Sequence, residues 1–144
     1  MAFVTYDVNR VAVIVGGIPM EGFADGTRVT VEFDEEQFTK ITGTDGLTTR
    51  SKTNNYAGKV RITLQQTSRS NDVLSGLWNA DRVNASGVVP VLVKDDSGRT
   101  FWTSEHAWVE KMPDQEFGKE SSDREWVLET GKLVGIAGGN QPLL

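Results

Sequence analysis

Between Gly58 and Arg82 the hydrophobic spacing changes period within one unbroken stretch, GKVRITLQQTSRSNDVLSGLWNADR. In its first half Val60, Ile62 and Leu64 alternate with Lys59, Arg61, Thr63 and Gln65. That is the period of a strand with one buried and one wetted face. In its second half Val73, Leu74, Leu77 and Trp78 form the stripe of an amphipathic helix. Ser68 or Ser70 can cap that helix by accepting from a first-turn N–H, and Asp72 suits the positive end of its dipole. One short helix must bury its stripe against another layer. The flanking sequence reads as β throughout, so one helix clamped onto a β-sheet domain is expected.

Upstream, Val11–Val15 (VAVIV) reads as a buried strand closed by Gly16-Gly17 and Pro19. Gly22, Asp25 and Gly26 turn the chain into Arg28–Phe33, where Val29, Val31 and Phe33 alternate with Arg28, Thr30 and Glu32. Asp34–Ala57 is polar, rich in threonine and nearly coreless. It is too long for an ordinary connection, since loops beyond about 12–15 residues are uncommon in compact domains. Gly43-Thr44-Asp45-Gly46 is a turn sequence, which predicts a protruding hairpin with Gln37–Thr42 and Leu47–Lys52 as its arms. Read blandly, the segment is a mobile loop. Read functionally, it is an arm that orders against another subunit.

Downstream, Val88–Lys94 is a strand, with Pro90 pointing to an edge position. Asp95-Asp96-Ser97-Gly98 turns into a strand over Arg99–Met112. There Trp102, Trp108 and Met112 fall on one parity, and Phe101, Ala107 and Val109 on the other. Either both faces meet apolar material or a bulge near Ser104–His106 shifts the phase. After an exposed charged stretch, Gln115–Arg124, the last strand is expected over Trp126–Val134, with Trp126, Leu128, Thr130 and Val134 on one face. Residues 135–144 read as a flexible tail.

At 144 residues the chain suits one domain over residues 1–144 that buries roughly two-thirds of its unfolded surface. It has no cysteine and one histidine, His106, which removes thiolate and multi-histidine metal sites. Lys94-Asp95-Asp96-Ser97-Gly98 lacks the later ligands of a calcium loop, and GTDGLTTR lacks the lysine and spacing of a phosphate loop. Ser104, Glu105 and His106 are consecutive, so on a strand they cannot form a relay. His106 reads as a partly buried strand residue, and the four tryptophans as core. No catalytic group, metal or cofactor is expected. The net charge of −5 argues against a phosphate-binding basic face. The N-terminus lacks a basic region followed by an apolar core, so no signal peptide is expected, and no apolar run reaches the ~20 residues of a membrane span.

In order along the chain stand Tyr6-Asp7-Val8-Asn9, the turn GFADGT (22–27), the polar hairpin centred on Thr44-Asp45-Gly46, and a strand–Thr67-Ser68–helix unit ending at Leu77-Trp78-Asn79. The Val89–Lys94 hairpin, Lys111-Met112-Pro113-Asp114 and the Glu125-Trp126 strand follow. As an ordered set these resemble the tail tube (inner tube) subunits of contractile-tailed bacteriophages over most of the chain. Arg69 stands where such chains often carry a proline after the capping serine. The resemblance implies a mainly β fold with one helix, in which two packed antiparallel sheets form a sandwich or barrel-like body beside that helix. It implies hexameric rings that stack head to tail, with a continuous lumenal barrel through which viral DNA passes without specific binding. The implied partners are further copies of the chain, the tail sheath protein, the tape-measure protein, and the baseplate and tail terminator proteins. The implied location is the tail of a virion made in the host bacterial cytoplasm.

Combining the resemblance with the residue pattern nominates two surfaces. The arm is the candidate for contact between rings, through Gln37, Phe38, Thr39, Lys40, Thr44, Asp45, Leu47, Thr48, Arg50 and Lys52. Thr30, Glu32 and Asp34, with Arg61, Thr63 and Gln65 on the neighbouring strand, are the candidates for the lumen wall. A wall with few net positive charges lets DNA slide, because each neutralised phosphate adds a counterion-release contribution that holds it. Arg61 fits such a wall only if it pairs across the strands with Glu32. Two other readings remain: a tube or tail-completion part of a related contractile device, and a small ligand- or carbohydrate-binding β module.

Overall fold

The period switch at Gly58–Arg82 becomes a strand followed by a helix, and the other alternating segments become strands around them. The structure, a computed structural model, describes residues 3–141. Among these are the strands β1 (Val11–Val15), β2 (Ile18–Pro19), β3 (Val29–Phe33), β4 (Phe38–Thr42), β5 (Thr48–Lys52) and β6 (Gly58–Gln65). Helix α1 (Ser70–Asn84) comes next, then β7 (Val89–Asp95), β8 (Phe101–Val109), β9 (Asp123–Thr130) and β10 (Val134–Ile136). They form two antiparallel sheets. The larger runs β2-β1-β7-β8-β9-β6-β3 with β10 also on β8, and the smaller is the hairpin β4–β5.

The mainly β, sandwich-like architecture with one helix is the one anticipated. In the larger sheet β8 links β7 to β9. Val13 and Val15 of β1 and Val91 and Val93 of β7 share one core with Val60, Ile62 and Leu64 of β6 and Trp126 and Leu128 of β9. Leu74 of α1 is fully buried in that core, and Val73, Leu77 and Trp78 pack around it, as the helical stripe predicts. Arg82 lies 4.6 Å over the Trp78 ring, one turn further along α1.

The helix start differs slightly from expectation. Neither Ser68 nor Ser70 occupies the residue preceding the first full turn; Arg69 does, in helical conformation and without a side-chain cap. The Ser68 hydroxyl nevertheless accepts from the Ser70 N–H (3.1 Å), so Ser68 acts as the cap one residue earlier. Gly22, at φ +71°, passes so close to Ser68 that a Cβ there would meet the serine Cβ at 2.6 Å.

Three local expectations are corrected. Pro90 is not on an edge, because β7 lies between β1 and β8; it sits where the β7–β8 register shifts between Val89 and Val91. Its missing N–H therefore falls at the irregularity, and its carbonyl accepts from Gly16. Across from it, Ser104 faces Val91 and Ala107 faces Val89, so the extra β8 residue lies in Ser104–His106. The bulge is the reading that holds, and it leaves His106 exposed rather than partly buried. The last strand is not continuous to Val134. It breaks at Gly131–Leu133, opposite that bulge, where Gly131 donates to the His106 carbonyl. Leu133 takes the core position, and Val134 is exposed.

The tail expected to be flexible over 135–144 is held along the Asp95–Thr100 turn as far as it is described. Arg99 N–H donates to the Gly139 carbonyl, Thr100 Oγ1 to the Gly138 carbonyl (2.7 Å) and Asn140 Nδ2 to Ser97 Oγ (3.1 Å). Its last three residues, 142–144, lie outside the described residues.

Candidate assembly surfaces

The register of β3, β6 and β9 determines which polar side chains share the outer face of the sheet. Thr30 stands opposite Arg61 and Glu32 opposite Lys59; on the other flank Lys59 opposes Glu129 and Thr63 opposes Glu125. Side chains of opposed residues project to the same face, so Thr30, Glu32, Arg61, Thr63 and Gln65 lie together, as nominated. Asp34 lies in the bend just past β3, beside Glu32 and Lys59. Gln65 Nε2 donates to the Phe23 carbonyl (3.1 Å).

Arg61 is paired as its position requires. Its Nε and Nη2 both reach Glu32 Oε1, at 2.9 and 2.8 Å, and Nη1 reaches Glu125 at 3.4 Å. Lys59 lies between Glu129 (3.3 Å) and Glu110 (3.6 Å). The hydrogen bond and charge of Glu32 push the Arg61 pKa further up, and the Glu129 hydrogen bond with the Glu110 charge does the same for Lys59. Both cations are therefore neutralised locally, and Glu32, Glu110, Asp123, Glu125 and Glu129 outnumber them on this face. The residues missing from the sequence nomination are Lys59, Glu110, Glu125 and Glu129. Their signal was present as the alternation of Glu125, Val127 and Glu129 against Trp126 and Leu128, but nothing local said that β9 lies beside β6.

An open cleft of about 600 Å³ lies over this face, between β6, β9 and the connection from Glu110 to Ser122. Its lining is charged, and its one hydroxyl, that of Ser122, donates to the Glu116 carbonyl (3.0 Å) and lies 3.4 Å from Gln66 Oε1. Among the described residues the Ser104 hydroxyl hydrogen-bonds only the backbone of His106, at 3.2 and 3.4 Å, and makes no relay with the imidazole. Among the described residues no cluster of three or more His, Asp or Glu is arranged to ligate a metal. No helix there is long and apolar enough to cross a membrane.

The second surface is the arm. β4 and β5 pair over five positions, from Phe38 opposite Lys52 to Thr42 opposite Thr48. The turn closes through Gly43 N–H to the Leu47 carbonyl (2.8 Å), Gly46 N–H to the Gly43 carbonyl, and Asp45 Oδ1 accepting from Leu47 N–H (3.1 Å). The Thr42 and Thr48 hydroxyls meet at 2.9 Å, and Arg50 stacks over the Phe38 ring at 3.9 Å. Every nominated arm residue, Gln37, Phe38, Thr39, Lys40, Thr44, Asp45, Leu47, Thr48, Arg50 and Lys52, is exposed. Among the described residues the hydrogen bonds of Phe38–Lys52 stay within the arm. The third surface is the pair of sheet borders, β2 and β3, which end the larger sheet.

Comparison with known proteins agrees with this architecture. Residues 3–138 match the family model described as Bacteriophage PhiTE tail tube protein. The structural protein ORF10 of Pseudomonas phage KPP10 is 34% identical over 145 residues, covering 95% of this chain and 84% of that protein. Among solved structures, the sheath/tube terminator of the extracellular contractile injection system PVC, in its extended state, aligns with TM-score 0.67 and 13% identity, over 95% of this chain and 100% of that one. The tube-terminating cap of the anti-feeding prophage aligns with TM-score 0.64 and 12% identity, over 94% and 95%. The PVC sheath–tube complex aligns with TM-score 0.63 and 14% identity, over 92% of each chain. At such identities the three structural likenesses speak for the fold. The sequence matches go further: this chain belongs to the PhiTE-type bacteriophage tail tube protein family and is a structural component of a phage tail.

Proposed function

We propose that the chain is the repeating subunit of the tail tube, assembling as hexameric rings that stack head to tail into the channel for viral DNA in the virion. The observation that carries this reading is the outer face of β3, β6 and β9, where Arg61 and Lys59 are each held between carboxylates. Lys111, which also lines the cleft, makes no ion pair among the described residues, but a surface with two of its three cations paired and an excess of carboxylates holds phosphate weakly. It suits a lumen wall made of Thr30, Glu32, Asp34, Arg61, Thr63 and Gln65 with the β9 glutamates. The borders β2 and β3 offer unpaired backbone to neighbouring subunits, which would close the sheets into a ring. The arm then supplies contact between rings. Sheath protein would surround the tube, tape-measure protein would fill it before DNA, and baseplate and terminator proteins would bound it.

The test is assembly of the purified chain. Negative-stain microscopy and light scattering at high concentration should show rings and tubes. Removing Gln37–Lys52 should leave a folded subunit that forms rings without stacking. A strictly monomeric species at millimolar concentration, or normal tubes from the arm-deleted chain, would count against the reading. The fold is shared with a terminator and a cap, and in that alternative role the chain would stop at a single ring that binds tube ends.

A further inference from the structure

The arm leaves the sheet at the Gly58 end of β6, whereas the connection between β8 and β9 starts at Glu110 beside Lys59 and runs back to re-enter the sheet at the other end, with the Glu116 carbonyl accepting from Ser122 there. Phe33 and Gly58 are opposed where β3 leads into the arm, whereas Gln65 opposes Asp123 and Gln66 N–H donates to the Ser122 carbonyl at the other end of β6. Eight strand residues separate these ends by about 25 Å. In a head-to-tail stack the two poles of successive subunits face each other.

The cations of the hairpin strands, Lys40, Arg50 and Lys52, are complementary in sign to the carboxylates of the connection, although Asp34, Glu35 and Glu36 precede the hairpin and Asp45 lies in its turn. On the arm Phe38, Lys40 and Thr42 share a face with Thr48, Arg50 and Lys52, while Thr39 and Ile41 share the other with Thr49 and Ser51. Lys40 is directly opposite Arg50, an arrangement that repels across the strands and destabilises a free hairpin. Among the described residues no carboxylate forms an ion pair with Lys40, Arg50 or Lys52. Within Asp114–Glu120 the exposed connection carries Asp114, Glu116 and Glu120 against Lys119, with Lys111 just before this stretch and Phe117 76% exposed at its middle. Its three carboxylates likewise form no ion pair among the described residues.

We infer that the basic face of the arm, Lys40, Arg50 and Lys52, docks on the Asp114–Glu120 connection of a second copy in the next ring, with Phe117 as its apolar anchor. The inference rests on the stacked-ring reading and adds the partner surface and the chemistry of the joint. Docking places each arm cation near a carboxylate and removes the Lys40–Arg50 repulsion. It also fixes the direction of stacking, because an arm meeting an arm would bring two basic faces together.

The test is charge reversal, with circular dichroism to confirm folding. Lys40→Glu, Arg50→Glu and Lys52→Glu together should lower pelletable polymer at least tenfold while rings persist, and so should Asp114→Lys, Glu116→Lys and Glu120→Lys together. The chain carrying all of these substitutions should form tubes again. As a measurement on the native chain, stacking should weaken as salt rises from about 0.05 to about 0.5 M. Tubes from the Asp114/Glu116/Glu120 variant, when arm deletion abolishes them, would overturn the docking while leaving the stacked-ring reading in place. A native chain that forms no rings would overturn both. Binding of a duplex DNA fragment that the arm reversal abolishes, with tube formation unchanged, would instead make the basic face a phosphate site.

Discussion

Asn71 joins the helix to the sheet with hydrogen bonds that no apolar residue can replace. Its Nδ2 donates to the carbonyls of Gln65 (2.9 Å) and Ser68 (3.1 Å), and its Oδ1 accepts from the buried Trp126 Nε1 (2.8 Å). These bonds tie the end of β6, the start of α1 and the centre of β9 at one point. Asn71→Ala leaves the indole N–H buried without a partner, and such a group costs about 1–3 kcal/mol. The unfolding free energy should fall by that amount and the denaturation midpoint by that amount divided by the denaturant slope, which is unchanged because the exposed surface is the same. An unaltered midpoint would show that the indole finds another acceptor. Arg61 behaves differently, since its partners are half exposed and ion pairs of that kind contribute about 0–1 kcal/mol. Its pairing matters for the charge of the face more than for the stability of the fold.

At the scale of the element, the β7–β8 turn and the C-terminal segment form one unit held by a carboxylate. Ser97 donates to Asp95 Oδ1 from its hydroxyl (2.6 Å) and its N–H (3.0 Å), and Asn140 donates to Ser97 in turn. The Ser97 hydrogen bond holds the Asp95 carboxyl below its ordinary pKa, against a smaller opposing effect of burial. A carboxyl depressed on folding contributes stability that is complete above its unfolded pKa, about 3.9, and is lost as pH falls through the lower folded value. Amide protection at Gly98 and Arg99 should therefore hold at pH 5 and fall below about pH 4. Asp95→Asn should abolish that dependence. Equal protection at pH 3 and pH 5 in the native chain would contradict it. The arm is an element of another kind: a two-stranded hairpin without a core is marginal alone, and its Arg50–Phe38 stack and threonine pair keep it formed while leaving its edges free.

For the whole molecule, the open borders at β2 and β3, the outlying arm and the acidic outer face leave polar backbone and charge that one subunit does not satisfy. Assembly that binds only the folded chain raises its apparent stability by mass action. The thermal midpoint should therefore rise with protein concentration in the range where rings appear by light scattering. A midpoint independent of concentration across that range would mean that assembly contributes nothing to the fold.

The sequence by itself determined the elements whose signals are local. The alternation of β6, the stripe of α1 and the Gly-Thr-Asp-Gly turn of the arm each follow from spacing within a few residues, because side-chain direction repeats with the backbone period. It also determined which polar residues share a strand face. Only the tertiary structure decided which strands are neighbours, and with that the Arg61–Glu32–Glu125 and Lys59–Glu110–Glu129 clusters. It likewise placed Pro90 inside the sheet at a register shift, matched the β8 bulge to the break between β9 and β10, and bound the C-terminal segment to the turn at Asp95. The physical reason is that alternation names a face but not the strand beside it. Pairing between distant segments is chosen by the packing of the whole core, where a bulge in one strand sets the register of the next.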